Sequence, residues 1–136
     1  MKDAATKTIY LKDYTAPAYL VDKVHLTFRL HPTQTRVISR VHFRPNPDSN
    51  DNRFTLHGEE MQLIPLISDG VLTTQAPDAP FIWEAEVEIS PKGNTALEGL
   101  YMSGSMYCTQ CEAEGFRKIT FYPDRPDVMA RFTVRI

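Results

Sequence analysis

From Val24 to Leu30 apolar and polar residues alternate without a break. Val24, Leu26, Phe28 and Leu30 fall on one side, and His25, Thr27 and Arg29 on the other. A period of two sends successive side chains to opposite faces of an extended chain, so this run predicts a strand with one buried face. His31-Pro32-Thr33-Gln34 supplies turn residues, each suited to a reversal. Alternation resumes from Thr35 to Arg44, with Val37, Val41 and Phe43 on the apolar side and Arg36, Arg40, His42 and Arg44 opposite. Ser39 interrupts the apolar side. The two runs predict an antiparallel hairpin.

Phe81 to Ile89 is the cleanest strand pattern of all. Phe81, Trp83, Ala85, Val87 and Ile89 share a face, and Glu84, Glu86 and Glu88 share the other. The glutamate row is read as a solvated outer face. Shorter strand-like runs cover Phe54–Gly58, Met61–Ile67, Val71–Leu72, Gly99–Ser103, Met106–Glu112 and Thr133–Ile136. Pro65 cannot donate to a ladder, so its run is an edge or is bulged, and Asp69-Gly70 is a hairpin turn signal. Residues 45–52, 76–80 and 90–95 read as loops. Tyr14 and Tyr19 are expected to anchor the first 18 residues on a sheet. Asp124 as N-cap with Pro126 an early helical residue would allow one helical turn near 124–130. The sum is an all-β fold of eight or nine short, mostly antiparallel strands, a sandwich or barrel-like sheet.

Composition narrows the function classes. A chain of 136 residues suits one domain spanning 1–136,. A formal charge of -2 leaves no basic footprint for nucleic acid,. Apolar runs fall well short of the ~20 residues of a membrane helix, and the lysine-containing start lacks the apolar core of a secretory signal. Two cysteines in such a chain suggest free thiols in a reducing, cytoplasmic setting,. Ten prolines against six glycines favour many short segments,.

The densest chemistry lies in Cys108-Thr109-Gln110-Cys111-Glu112-Ala113-Glu114-Gly115-Phe116-Arg117 and its continuation Phe121-Tyr122-Pro123-Asp124-Arg125-Pro126-Asp127. Cys108-x-x-Cys111 is half a zinc ribbon without a second pair, and a tetrahedral site needs four ligands. Glu112 and Glu114 would raise a nearby thiol pKa, against a redox role. His57-Gly58-Glu59-Glu60 lacks the second histidine of H-E-x-x-H. His25, His42 and His57 read as surface residues, and His31 lies with them far from the cysteines in sequence. Gln110 and Glu112, two apart on a strand, would share a face ~6.6 Å apart. There an amide orients a carbonyl and a carboxylate pairs an ammonium. The plainer alternative has Glu112 or Glu114 paired with Arg117 or Arg125.

Three segments carry a family resemblance: Asn94–Tyr101, Cys108–Arg117 with its T-Q-x-E at Thr109–Glu112, and Phe121–Phe132 with F-Y-P-D-R-P-D. The match is dense over residues 94–136 and looser over 10–92, where Tyr14, Pro17, Tyr19 and Leu56-His57-Gly58-Glu59 take part. The chain resembles the N-terminal domain of bacterial M1 enzymes, the gluzincin-type zinc aminopeptidases. The resemblance implies a saddle-shaped β-sandwich that caps a separate catalytic domain. It implies that Glu112 binds the free α-amino group of a peptide substrate and that Gln110 lines the pocket for the first side chain. The family's zinc motif and its G-x-M-E-N segment would lie beyond Ile136, and so would further strands of the same domain. The expectation is a fragment that holds no zinc ligands and no catalytic residue and is inactive alone. Its partners would be peptides with a free N-terminus and the missing catalytic domain, with no nucleic acid and no membrane. A freestanding interaction module is the competing reading. It would recruit a partner strand at an open edge, near Met61–Ile67 or at the terminal strand, and an unpaired edge would favour self-association.

Overall fold

The computed structural model describes residues 8, 10–63 and 71–136. Among them nine strands are interrupted by single turns of 3-10 helix. The strands are β1 (Tyr19–Arg29), β2 (Thr35–Pro45), β3 (Arg53–His57), β4 (Gln62–Leu63), β5 (Val71–Gln75), β6 (Phe81–Ile89), β7 (Gly99–Ser103), β8 (Met106–Gln110) and β9 (Arg131–Arg135). Five of them form one sheet in the order β4-β6-β2-β1-β9, and β3–β5 and β7–β8 form two separate ribbons. Every pairing is antiparallel except that of β9 with β1. The all-β expectation holds.

The predicted hairpin is β1–β2, and its strand begins earlier than the alternation suggested. Tyr19 and Val21 are buried, and so are Val24 and Leu26. Strict period two cannot bury both pairs. A register shift between Val21 and Lys23 absorbs the mismatch, as a β-bulge does. The bulged Asp22 accepts from Arg44 Nε at 2.9 Å.

On β2 the inward face is Thr35, Val37, Ser39, Val41 and Phe43. Ser39 does not interrupt the core, although its hydroxyl is 0% exposed. It donates to Ala85 O at 3.3 Å and accepts from the Thr120 hydroxyl at 3.1 Å. A buried hydroxyl with both roles filled carries little of the desolvation cost of an unmet one.

The covering layer supplies Phe54, Leu56, Leu100, Ile119, Phe121 and Tyr122 to this core. Phe54 sits edge-on to Tyr19, Phe43 and Phe81, with centroids 4.9–5.4 Å away. Such pairs each add roughly 0.5–1.5 kcal/mol beyond area burial. Tyr19 thus anchors the lead-in from within the core, while the exposed Tyr14 hydroxyl donates to Asp127 at 3.0 Å.

β4 is an edge strand, as the proline in its run suggested. Pro65 itself, the Asp69-Gly70 turn and the rest of 64–70 lie outside the described residues. Between 124 and 130 the chain makes one turn, closed by Val128 N–H donating to Arg125 O at 3.2 Å. Asp124 does not cap it. Regular 3-10 turns occur instead at Leu11–Asp13, Pro91–Gly93 and Phe116–Lys118.

Candidate functional site

β8 carries the chain to Gln110, whose backbone lies opposite Gly99 of β7. Residues 111–115 then form a loop leading into the turn at Phe116–Lys118. The strand ends before Glu112, so the two-residue spacing does not place Gln110 and Glu112 on a common strand face. The reason lies at Gly115, which has φ 145. A Cβ there would stand 3.1 Å from Gln110 O and 3.2 Å from Cys111 Cα. The backbone folds back on the end of β8 as only glycine readily permits. The Glu112–Ala113 peptide is cis.

The loop is held from beneath by Asp124, which is 5% exposed. Its Oδ2 accepts from Gly115 N–H at 2.9 Å, Arg117 N–H at 3.2 Å and Arg117 Nε at 2.7 Å. Three donors, one of them charged, outbid a cap on the following turn. Burial alone would push this carboxyl up, but the Arg117 side chain and the two amides outweigh it, and its pKa lies below the ordinary carboxylate value. Arg117 also pairs with Glu114 through Nη2.

A second tie comes from the end of β3. His57 and Tyr122 exchange backbone hydrogen bonds at 2.9 and 3.1 Å, and Glu59 N–H donates to Arg117 O at 2.8 Å. Lys118, nearly buried, reaches Glu59 at 3.3 Å and Glu60 at 3.1 Å. Gly58 permits this approach, because a Cβ there would lie 2.5 Å from the Phe121 ring. His57, read from sequence as a surface residue, is half-buried, and its Nδ1 accepts from Asp124 N–H at 3.3 Å.

With these pairings made, the acidic residues separate. Glu114 is taken by Arg117. Arg125 is taken by Asp127 at 2.7 Å and by Thr15 O at 2.8 Å. Glu112 is exposed and has no hydrogen bond or ion pair among the described residues. Gln110 is exposed beside it in sequence. Cys108 and Cys111 are free, half-buried thiols. Burial, then the Asp124 charge, pushes Cys111 up. Among the described residues no three His, Cys, Asp or Glu side chains gather where they could share a metal ion. A cleft of about 440 Å³ opens beside the clamp, lined by Arg53, His57, Arg117 and Arg125 among others. Each of its arginines is already paired with a carboxylate.

Sequence reasoning missed Asp124 and Arg117 as the clamp. The local signal was an acid–base–acid order at 114, 117 and 124. The contact of 57–60 with 117–122 had no local signal.

No family model matches the chain. Curated relatives do. The chain is 41% identical over 150 aligned positions to aminopeptidase N of Caulobacter vibrioides, covering all of this chain and 17% of that protein. It is 44% identical over 138 positions to aminopeptidase N of Escherichia coli, covering 93% of this chain and 16% of that protein. Among solved structures, the crystal structure of Legionella pneumophila aminopeptidase A in complex with aspartic acid superposes with a TM-score of 0.78. The identity there is 29%, over 91% of this chain and 16% of that one. Fold and sequence together make this all-β chain similar to one segment of these aminopeptidases. More particularly, the chain is homologous along its length to a segment of bacterial aminopeptidase N and spans about a sixth of such a protein.

Proposed function

We propose that this chain is the N-terminal, substrate-anchoring domain of an M1 metallo-aminopeptidase that removes N-terminal residues from peptides in the cytoplasm. Glu112 pairs with the α-ammonium of the substrate, and Gln110 lines the pocket for the first side chain. One observation carries the reading. In a stretch where Glu114, Arg117, Asp124, Arg125 and Asp127 are matched to one another, Glu112 is held out to solvent without a partner among the described residues. Similarity to a segment of aminopeptidase N along the chain supports giving that carboxylate a substrate ammonium as its partner. Anchoring the ammonium sets which peptide bond meets the reacting centre, so cleavage proceeds one residue from the end. The zinc of the full enzyme would be held by residues of the catalytic domain, since among the described residues no three His, Cys, Asp or Glu side chains gather to hold it, and the segment alone is expected not to hydrolyse peptides.

The test is Glu112→Ala in the full-length enzyme. The expected loss in kcat/KM for an amino-acid p-nitroanilide is on the order of 100-fold, the scale of removing one partner of a desolvated charge pair. Undiminished turnover would overturn the assignment. Turnover by the 136-residue segment alone, supplied with zinc, would overturn its dependence on the catalytic domain.

A second reading has an observation of its own. β9 is an edge strand, with Phe132 and Val134 half-exposed over an apolar groove of about 470 Å³ shared with Leu26, Leu100, Tyr107 and Phe116. Such an edge favours strand addition or self-association of the isolated segment. A monomer by sedimentation at high concentration would count against it.

A further inference from the structure

The loop that presents Glu112 is fixed at both ends, and the fixing groups are themselves matched. At its start, β8 pairs with β7 through Gln110 and Gly99. At its end, Gly115 N–H is bonded to the buried Asp124 carboxylate, which Arg117 grips through Nε and through its own backbone N–H. Arg117 Nη2 also donates to Asp124 O at 3.3 Å. The turn that follows is tied down again through Lys118, Glu59 and Glu60. Charge within this cluster is matched internally, and Glu112, unpaired among the described residues, sits between the two fixed points.

We infer that Asp124, with Arg117, is a positioning residue for the ammonium-binding carboxylate, acting through the 111–115 loop and touching no substrate. The inference rests on the assignment of Glu112 above. The physical reason is preorganisation. A carboxylate on a fixed loop loses little freedom when an ammonium arrives, and a displacement of about 1 Å costs up to ~100-fold in a reaction that depends on placement. Asp124 does two things for that placement. It supplies the acceptor that draws Gly115 into its folded-back conformation, and its charge keeps Arg117 away from Glu112. A freed Arg117 would be a competitor for that carboxylate.

A double-mutant cycle in the full-length enzyme separates the roles. Glu112→Ala, Asp124→Asn and the double variant are compared by kcat/KM for an amino-acid p-nitroanilide and by thermal midpoint. Asp124→Asn keeps the side-chain shape and removes the charge. The expected result is a roughly tenfold fall in kcat/KM, carried by KM, in the parent background, and less than about a twofold further fall once Glu112 is gone. A purely structural role would lower kcat/KM by the same factor in both backgrounds, and that additivity would overturn the inference while leaving Glu112 as the anchor. No effect of Asp124→Asn in the parent background would also overturn it. If Glu112→Ala is itself silent, the anchor assignment fails and this inference falls with it. Should Asp124→Asn not fold, Arg117→Lys enters the same cycle. It keeps the cation and loses the fork, and is read by the same criterion.

Discussion

Two groups of glutamates, one on β6 and one in the 111–115 loop, look alike in composition and differ in circumstance. Glu84, Glu86 and Glu88 face the arginines of the neighbouring strand. Arg40 Nε lies 3.1 Å from Glu84, and Arg36 lies 2.9 Å from Glu86 and 3.9 Å from Glu88. Glu112 faces no cation among the described residues, although Arg117 and Arg125 are close in sequence. A row of charge opposite a complementary row completes itself. A carboxylate whose neighbours are all paired elsewhere is available to a ligand. The proposal that Glu112 binds a ligand rests on its exclusion from the local pairing among the described residues.

The largest expected effect breaks or sustains that distinction directly. In the full-length enzyme, Glu112→Ala is expected to lower kcat/KM on the order of 100-fold. Changing Glu84, Glu86 and Glu88 together to Gln is expected to change it by less than about twofold, because exposed pairs contribute little. Similar losses in both variants, measured with one substrate, would erase the contrast.

Gly115→Ala attacks the geometry and leaves the charge alone. At φ 145, with backbone atoms 3.1 and 3.2 Å from the new Cβ, a side chain is strained. The expected cost is roughly 1–3 kcal/mol of stability, with a fall in kcat/KM smaller than that of Glu112→Ala. Denaturant midpoints and kinetics on one preparation check both. An unchanged midpoint would mean that the loop tolerates another backbone path.

The long strands β1, β2 and β6 were legible because each turns one face to the core, which leaves an alternating trace, whereas β9 is exposed at every position. The β6 row and its arginines could be read from two alternations placed side by side. Three features were not legible, each for a physical reason. The bulge at Asp22 breaks the period, so Tyr19 and Val21 fell out of phase with Val24 and Leu26. Ser39 looked like a flaw because its partner Thr120 is 81 residues away. Asp124 looked like a helix cap because nearby sequence suggested one, whereas the donors that claim it are at 115 and 117. Gln110 and Glu112 were singled out by a strand spacing that does not extend past Gln110, and their expected roles came from the T-Q-x-E resemblance.

The pH dependence of stability sharpens the contrast further. Asp124 has its pKa held below the unfolded value, chiefly by Arg117 and the two amides working against burial. A depressed carboxyl contributes stability that is present above its unfolded pKa and lost as pH falls through its folded one. The stability gap between the parent and Asp124→Asn is therefore expected to be full near neutrality and to narrow below pH ~4, where the unfolded carboxyl begins to titrate. Urea midpoints between neutral and acid pH test this. A gap that stayed constant into acid would mean that the charge on Asp124 does not hold the loop.

The smallest effect belongs to the β6 row. Arg36 and Glu86 make a 2.9 Å contact with both side chains substantially exposed. Water screens such a pair, and holding two long side chains in one geometry costs rotamer entropy. A double-mutant cycle with Arg36→Ala and Glu86→Ala is expected to give a coupling of about 0.2–1 kcal/mol, shrinking further at high salt. Glu88 shares the same arginine, so part of any loss on removing Glu86 is recovered by the remaining pair. A salt-insensitive coupling of several kcal/mol would show that the row is a buried network. In that case the paired glutamates of β6 would be the structural centre of this sheet, and the contrast with Glu112 would have to be drawn on strength of pairing instead of on its presence.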